Sequence, residues 1–394
     1  MNIPRPLRVL SLATLYPNDN APNFGVFVER QMEAVAATGA VDLTVVNPIG
    51  LPPFPLCLHP RYRKLAALGD EVRCGVPVLR PRFTLIPTIS GRFNARAIAR
   101  AVLPLARRLH ADQPFDIVDA QFFYPDGPAA ARIAAALNLP CSIKARGADI
   151  HHWGKTPGTA RQVREAGRAA TGLLAVSSGL ADDMAELGMP HANITIHRTG
   201  LDRAVYRPLD RYEARAALGL PADVPVLATV GALIPRKGQS LVIAALPALP
   251  GAILLLAGTG PDEATLREQA RALGVAERVR FMGPVPHREL PVVLSAADVF
   301  VLPSASEGLA NAWVEALACG TPVVTTPIPG ARELITNRDY GRLAERNAPA
   351  IAAALREILA NAPTREAVTR GADGFSWEAS AAALIAHWRR LANR

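Results

Sequence analysis

Two carboxylates in the second half of the chain have the type and position that binding of a hydroxylated ligand requires. Glu307 follows a short apolar run typical of a strand, and Glu315 lies one to two turns into the helix predicted after it. Each carboxylate can accept two hydrogen bonds, which matches neighbouring hydroxyls of a sugar or a ribose. Gly308 lets a phosphate or hydroxyl approach the backbone beside a helix N-terminus, which favours anions. The pattern predicts a site for a ligand with hydroxyl and phosphate groups.

Two adjacent cations occupy a predicted strand-to-helix turn earlier in the same half. Arg236 and Lys237 lie within the stretch Val230–Gln239, just before a helical pattern. Cations in that place suit a diphosphate whose negative charge grows as a bond to it breaks. The alternative is a pair of solvated surface cations.

Glycine-bearing loops follow two other predicted strands. Gly258 and Gly260 form a Gly-x-Gly-Pro segment, and Val285 lies in the loop after the next strand. A Gly-x-Gly pattern is weak by itself and is often only a turn. We expect backbone contacts from both loops.

These residues belong to a regular alternation of short apolar runs and helical patterns, which predicts an α/β fold. Parallel sheets covered on both faces by helices explain that alternation. It occurs twice, with a break near 199–212, so we predict two doubly wound, Rossmann-like domains, at 1–205 and 206–376. The predicted strands are Arg8–Ala13, Asp42–Val46, Ile117–Ala120, Cys141–Ala145, Leu173–Val176, Val226–Val230, Ile253–Ala257, Val279–Met282, Val299–Leu302 and Val323–Thr325. The predicted helices include Val28–Ala37, Gly127–Leu137, Thr265–Leu273 and Ala312–Ala318.

In doubly wound sheets, ligands bind beyond the carboxyl ends of the strands. Every candidate residue above lies in a loop or helix start that follows a predicted strand. Two such domains facing each other would also form a cleft, a common place for a ligand.

The motif around the two glutamates resembles the signature of glycosyltransferase family 4, retaining enzymes of the GT-B fold. Glu307 and Glu315, followed by Ala316-Leu-Ala-Cys-Gly-Thr-Pro-Val-Val, carry the resemblance. It implies that Glu307 contacts the donor sugar, that Glu315 contacts the nucleotide ribose, and that Arg236 and Lys237 neutralise the diphosphate. Further donor contacts are implied for Gly231, Gly258, Gly260, Val285, Gly308, Leu309, Ala310 and Asn311.

The first half resembles the same family less sharply. Gly25 lies in a loop resembling one that approaches the transferred sugar and acceptor, and Arg146 and Asp149 follow a later strand. Relatives of the branch that makes surface polysaccharides and teichuronic-type glycans have similar Arg-Gly-x-Asp segments. We predict Arg146 and Asp149 as acceptor-side or sugar-side residues, with a structural ion pair as an equal alternative. The resemblance also implies that 377–394 forms a helix returning to the first domain.

Two positions depart from the family pattern. Many relatives have His where Arg146 stands, and an Arg usually occupies the place of Ala232. Arg236 is the candidate that replaces the missing Arg. Because of these departures, a non-catalytic nucleotide-sugar-binding protein is one alternative, and another GT-B enzyme, a phosphorylase or a nucleotide-sugar epimerase, is a second.

The expected reaction is transfer of a hexose-type sugar from a nucleotide-diphosphate sugar to a glycan or lipid-linked acceptor. The chain contains no Asp-x-Asp, so we expect neither a metal nor another cofactor, with the leaving phosphate taking the acceptor's proton. Closure of the two domains would exclude water.

Composition bounds the remaining possibilities. Residues 51–110 hold eleven Lys and Arg against only Asp70 and Glu71, mixed with apolar residues. This suits an anionic membrane surface or an acidic acceptor; a solvated helical face is the plainer alternative, and nucleic acid is disfavoured because no recognisable binding module accompanies the charge. The start at Pro4-Arg5-Pro6 is unlike a signal peptide, and no apolar run spans a membrane. We expect a cytoplasmic protein, peripheral at the inner face of the membrane, whose four cysteines are buried, reduced thiols.

Overall fold

The computed structural model describes residues 5–87 and 90–393. Pro4, two residues of the basic segment (88 and 89) and Arg394 of the predicted final helix region lie outside the described residues. The chain divides into two compact units, residues 1–200 with 377–394 and residues 201–376. The sequence-based boundaries were 205/206 and 376/377.

The first unit alternates apolar strands with helices. Its elements are β1 (Leu7–Leu12), α1 (Val26–Ala37), β2 (Val41–Val46), β3 (Ile49–Leu51), α2 (Pro60–Ala66), β4 (Glu71–Arg73), β5 (Val76–Leu79), β6 (Arg82–Thr84), α3 (Asn94–Asp112), β7 (Ile117–Ala120), α4 (Asp126–Leu137), β8 (Cys141–Ala145), α5 (Ala160–Ala169), β9 (Gly172–Ala175), α6 (Ser178–Glu186) and β10 (Ile194–Ile196).

The second unit repeats the alternation. Its elements are α7 (Arg211–Ala217), β11 (Val226–Val230), α8 (Gln239–Ala245), β12 (Ile253–Ala257), α9 (Glu263–Ala272), β13 (Val279–Gly283), α10 (Leu290–Ala296), β14 (Val299–Val301), α11 (Asn311–Ala318), β15 (Val323–Thr325), α12 (Pro329–Leu334), β16 (Gly341–Leu343), α13 (Ala348–Ala360) and α14 (Arg365–Thr369). The last helix, α15 (Trp377–Ala392), belongs to the first unit.

Each unit is built on a sheet whose strand order reverses near its centre. The first sheet has the order β10-β9-β8-β7-β1-β2-β5-β4, and the second β13-β12-β11-β14-β15-β16. The order therefore switches between β7 and β1 in one sheet and between β11 and β14 in the other. Loops that follow the two strands of a switch point diverge to opposite faces, which leaves a crevice for a ligand.

Alternate residues of the strands enter different cores, so both faces of the second sheet are covered. Leu254 and Val299 belong to one apolar cluster, while Leu255 and Phe300 belong to another, together with Trp313. This is the period of two expected for a strand buried on both faces. The predicted α/β fold with two doubly wound domains is confirmed.

The predicted parallel sheets are present, and the first sheet has one further edge strand, not predicted, that pairs antiparallel. β4 pairs antiparallel with β5, because the two strands are joined by a tight turn at Cys74 and Gly75, too short for a helical crossover. Both turn residues have positive φ, as two-residue hairpins require. Strands β3 to β6, β10 and β16 were not predicted, since they are short, lie mostly at edges, or contain proline, as β5 does at Pro77.

All four cysteines are free thiols. The prediction that they are buried holds for Cys141 and Cys319 and is wrong for Cys57 and Cys74. Cys57 is half-buried in a surface loop. Cys74 is exposed because it occupies the tip of the β4–β5 turn.

The basic segment 51–110 divides into structural and free cations. Arg73 pairs with Glu29 at 2.6 Å, buried Arg80 donates to Asn47 Oδ1 at 2.6 Å, and Arg82 donates to backbone carbonyls. Four arginines lie exposed on α3, whose opposite side is buried. The prediction of a solvated helical face therefore fits α3. It does not fit α2, because none of its residues is buried.

Helix α15 packs against α1 and donates a hydrogen bond to a buried carboxylate of the first sheet. Trp388 is fully buried beside Val28 and Met32, and its indole N–H donates to Asp119 Oδ1 at 3.0 Å. Asp119 also accepts from Ser11. Burial raises the pKa of Asp119, and these hydrogen bonds act in the opposite direction.

We predict that Trp388→Phe lowers the free energy of unfolding by about 1–3 kcal/mol more than Trp313→Phe does. Both indoles are fully buried, but the N–H of Trp313 finds no partner within the described residues. Only the first substitution leaves a buried acceptor short of a hydrogen bond. Urea unfolding of the wild type and both variants measures the difference, and equal losses would contradict the assigned role of the Trp388–Asp119 bond.

Candidate functional site

The predicted donor residues of the second unit gather at its switch point. Arg236 and Lys237 follow β11, and Glu307 follows β14, the strand paired next to β11. Since parallel neighbours end at the same edge of a sheet, the two loops meet. The backbone N–H of Ala305 donates to the carbonyl of Arg236 at 2.8 Å and ties them together.

Arg236, Lys237 and Glu307 form an ion-pair group, here named the Glu307 cluster. Lys237 Nζ lies 2.6 Å and Arg236 Nη1 2.9 Å from the same oxygen, Glu307 Oε1. Arg236 Nη1 also donates to the carbonyl of Ser306 at 2.5 Å. Two cations share one carboxylate, so the cluster carries net positive charge. It can attract a phosphate and present a carboxylate to hydroxyls in the same place.

Glycine is required where these loops pack most closely. Gly238 has φ 78°, and a Cβ there would lie 2.5 Å from the carbonyl oxygen of Pro303. Gly258, after β12, has φ 141°, and its Cβ would lie 2.0 Å from the carbonyl oxygen of Gly231. No side chain fits at such distances, so the glycines allow the strand ends to converge.

The other predicted donor residues lie at the same edge. Gly231 follows β11, Gly260 packs on Leu233, and Val285 follows β13. Gly308 to Ala310 connect β14 to α11, which begins at Asn311. Ala310 provides no side-chain cap, and the backbone N–H of Trp313 donates to the carbonyl of Ala310 at 3.1 Å.

Glu315 is buried on α11 beside Tyr206. Burial raises its pKa to about 7, and the neighbouring Tyr206 hydroxyl limits that rise. The Tyr206 hydroxyl also lies 3.2 Å from Nδ1 of His287, in the loop after β13. Tyr206 therefore joins Glu315 to the loop that contains Val285. Sequence reasoning missed Tyr206, since its position in the domain-boundary segment gave no chemical signal.

In the first unit, Gly25 and Arg146 lie in loops after β1 and β8. Gly25 has φ 75° and begins α1, with its Cα packed so that a Cβ would lie 2.4 Å from the carbonyl carbon of Leu15. Arg146 donates from Nε to the carbonyl of Gln121 at 2.7 Å and from Nη2 to Gln121 Oε1 at 3.0 Å. Its guanidinium lies over the ring of Phe27 at 4.7 Å.

The side chains of Arg146 and Asp149 do not form the structural ion pair that was predicted as the alternative. Asp149 accepts from the backbone N–H groups of Phe123, Arg146 and Gly147 at 2.8–3.0 Å. It thus fixes the loop, while the Arg146 side chain binds Gln121. Desolvation lowers the pKa of Arg146 to about 10 and raises that of Asp149, so Arg146 stays cationic at neutral pH.

Gln121 links Arg146 to a buried polar network that sequence reasoning missed. Gln121 Oε1 accepts from Gln31 at 2.8 Å, and Gln31 accepts from fully buried Lys144 at 2.7 Å. Lys144 Nζ lies 2.6 Å from His197 Nδ1, and His197 Nε2 lies 2.9 Å from the carbonyl of Ser380 on α15. Since a carbonyl only accepts, Nε2 carries the hydrogen and Nδ1 accepts from Lys144.

Burial explains the protonation of this network. Desolvation lowers the pKa of Lys144 well below its ordinary value, and it lowers that of His197 to about 2. His197 is therefore neutral at physiological pH. These are interior positioning groups, because neither side chain reaches the surface.

No group of three or more His, Cys, Asp or Glu side chains that could hold a metal ion occurs in the described part of the chain. Among the same residues, no helix is both long and apolar enough to cross a membrane.

Comparison with known proteins identifies the family. The glycosyl transferases group 1 family matches residues 210–374, and the glycosyl transferase 4-like domain matches residues 24–200. Bacillus subtilis TuaC, named as a glycosyltransferase of teichuronic acid biosynthesis, is 30% identical over 89% of this chain and 88% of its own. The chain belongs to this glycosyltransferase family. A D-inositol 3-phosphate glycosyltransferase of Mycobacterium bovis is 37% identical over 52% of this glycosyltransferase and 45% of its own length.

Solved structures show that the fold of this glycosyltransferase is GT-B. Sucrose-phosphate synthase from Thermosynechococcus elongatus matches with a TM-score of 0.82 at 21% identity, over 98% of this chain and 99% of its own. Anabaena HepE, solved with UDP-glucose, matches at 0.74 and 20% identity, over 98% and 99%. At these identities the likeness shows the fold alone, and the predicted GT-B architecture is confirmed.

The raised pKa of Glu315 predicts a pH-dependent effect of Glu315→Gln on stability. Between the unfolded pKa near 4.5 and the folded pKa of about 7, the folded chain holds a proton that the unfolded chain has released. Wild-type stability therefore falls as pH rises through that window and levels off above it. A neutral Gln lacks this loss, so the variant should gain roughly 1–3 kcal/mol relative to wild type between pH about 5 and about 8.

Urea unfolding at the two pH values measures this gain. Glu277→Gln is the matched control, since Glu277 is exposed and the same substitution there removes a carboxyl from the surface instead of the interior. A constant difference between Glu315→Gln and wild type would show that Glu315 is already ionised in the acidic sample.

Proposed function

We propose that this glycosyltransferase moves a hexose-type sugar from a nucleoside-diphosphate sugar, with retention and without a metal ion, to a glycan or lipid-linked acceptor. The Glu307 cluster is the observation that carries the proposal. Two cations, each within 3 Å of the same carboxylate oxygen, match the two chemical ends of such a donor. The phosphates would take the cations and the sugar hydroxyls would take the carboxylate.

Donor binding would rearrange the charges of the cluster. Glu307 Oε1 pairs with both Arg236 and Lys237 and offsets only part of their positive charge. An arriving diphosphate competes for the same cations and leaves the carboxylate available to hydroxyls. Arg236 would supply the positive charge that Ala232, an exposed alanine in the same loop, cannot. Glu315 would receive the ribose hydroxyls, positioned by Tyr206.

The proposed chemistry breaks the bond between sugar C1 and the diphosphate oxygen while the acceptor oxygen bonds to C1 on the same face. The acceptor's proton passes to the departing phosphate, so no protein base is needed. Negative charge grows on the diphosphate as the bond breaks, and Arg236 and Lys237 stabilise it. In the first unit, Arg146 and the N-terminus of α1 at Gly25 are proposed to contact the acceptor or the transferred sugar, and Asp149 to hold the Arg146 loop.

The relatives support the classes of donor and acceptor. HepE is solved with UDP-glucose, which supports a nucleotide-sugar donor. TuaC is named for teichuronic acid biosynthesis, which supports a surface polysaccharide as the product. Among the cations of residues 51–110, those exposed on α2 support peripheral contact with the cytoplasmic face of an anionic membrane.

Lys237→Ala should lower kcat/KM roughly 100- to 1,000-fold, by analogy with the loss of one preorganised contact to a developing negative charge, about 2.7–4 kcal/mol. Initial rates with the donor that binds measure the loss. Lys155→Ala, which removes an exposed lysine of the first unit, is the matched control and should keep wild-type rates. Unchanged turnover in Lys237→Ala would remove Lys237 from the site.

We expect one nucleotide sugar of a panel to stabilise the chain against heat, with EDTA present. A donor at about 100 times its Kd adds about 2.7 kcal/mol, and Glu307→Gln should reduce that stabilisation. Stabilisation that disappears with EDTA would contradict metal independence. Turnover that needs free phosphate would indicate a phosphorylase, donor conversion without acceptor an epimerase, and binding without turnover a non-catalytic protein.

A further inference from the structure

The loop after β3 exposes three large apolar side chains within five residues. Phe54, Leu56 and Leu58 are 78%, 54% and 58% exposed. They alternate with Pro55 and Cys57. An apolar cluster left in water on a folded chain marks a contact with something else.

A fourth apolar side chain is exposed in the segment that follows β6, the partner of β3 in a small two-stranded sheet. β3 and β6 pair in parallel with Leu51 opposite Thr84, so the segments that follow them depart in the same direction. Ile86, two residues beyond β6, is 44% exposed. Apolar side chains are thus exposed in both segments that follow the strands of this small sheet.

Exposed cations follow these apolar residues directly. Helix α2 exposes Arg61, Arg63 and Lys64, with half-buried Tyr62 between them. The sequence from residue 51 to residue 69 contains no Asp or Glu. Residues 53–64 therefore combine apolar side chains with charge of one sign, and we name them the 53–64 surface.

The fold does not use these cations as it uses others of the basic segment. Arg73 and Arg80 pair with Glu29 and Glu71, and Arg80 is buried. The guanidinium of Arg61 lies over the ring of its neighbour Tyr62, at 5.9 Å, and its charge remains at the surface.

We propose that the 53–64 surface is a membrane-docking element, in which Phe54, Leu56 and Leu58 enter the interface of an anionic bilayer and the cations of α2 bind lipid phosphates. Apolar side chains at the acyl boundary with cations beside them are the composition of interfacial anchors, and a tyrosine ring suits the headgroup level. The proposal deepens the proposed function and depends on it only for its purpose, which is to bring the enzyme to a lipid-linked acceptor.

Charge complementarity selects a membrane over a protein partner. Protein interfaces have apolar cores inside rims of mixed polarity, with charged residues depleted at the centre. Here three cations adjoin the apolar residues, and residues 51–69 contain no carboxylate. An anionic lipid surface supplies both negative phosphates and an apolar layer beneath them.

Cosedimentation with vesicles tests the proposal without donor or acceptor. The wild-type chain is mixed with vesicles of phosphatidylcholine, with or without phosphatidylglycerol, at low and high salt. We expect binding that needs phosphatidylglycerol and weakens with salt. Phe54→Ser/Leu56→Ser/Leu58→Ser should lower partitioning at least roughly tenfold, and Arg61→Gln/Arg63→Gln/Lys64→Gln about 100-fold at low salt.

Matched variants separate this surface from general charge and general hydrophobicity. Arg100→Gln/Arg107→Gln/Arg108→Gln removes the same charge from α3, and Leu273→Ser removes an exposed apolar side chain from the second unit. Both should bind vesicles within about twofold of wild type. Thermal unfolding of each variant verifies that it is folded.

Three outcomes would overturn the proposal. The first is a wild-type chain that does not bind phosphatidylglycerol vesicles, and the second is an equal loss in the α3 variant. The third is self-association of the wild type, lost in the Phe54/Leu56/Leu58 variant, without vesicle binding, which would make the surface a protein contact. Thermal stabilisation of the wild type by a nucleotide sugar is measured in a separate experiment. A failure of the proposed transferase chemistry can therefore be distinguished from a failure of membrane docking.

Discussion

The carboxylate of Glu307 meets Arg236 and Lys237 only because two parallel strands far apart in the chain pair at the centre of one sheet. β11 and β14 end at the same edge, and the loops beyond them are joined by a backbone hydrogen bond from Ala305 to Arg236. Gly238, pressed against the carbonyl of Pro303, has no Cβ that would separate those loops. The ion pairs of the site therefore depend on strand pairing and on close packing of the backbone.

The first unit uses the same edge of its sheet differently. Polar side chains from β7 and β8 turn inward and are satisfied by α1 and α15, so that Lys144 and Asp119 are buried with hydrogen-bond partners. A buried polar group without a partner is costly, and a fully bonded network fixes its members in one arrangement. Arg146 is oriented by this network through Gln121. A helix from the end of the chain thereby contributes to the position of the half-buried Arg146 cation.

The cationic side chains of residues 51–110 have different surroundings and different structural roles. Arg80 is buried and binds Asn47, where it holds β5 against the loop after β2. The arginines of α3 are solvated over a buried apolar side. The cations of α2 follow exposed apolar residues and are themselves exposed. A count of basic residues over 51–110 cannot separate these groups, because each charge acquires its role from what the fold places beside it.

The sequence by itself determined the alternation of strands and helices, the two domains and the positions of the donor loops, because period-two apolar runs, glycine turns and the Glu307–Glu315 spacing are local signals. It did not reveal Tyr206 beside Glu315, the Lys144–His197 contact or the antiparallel β4. It also left Arg146 and Asp149 as an ion pair or two site residues, whereas Asp149 binds backbone amides and Arg146 binds Gln121. Only the tertiary structure decided these, since partners distant in the chain meet through strand order and burial, which no short window of residues encodes.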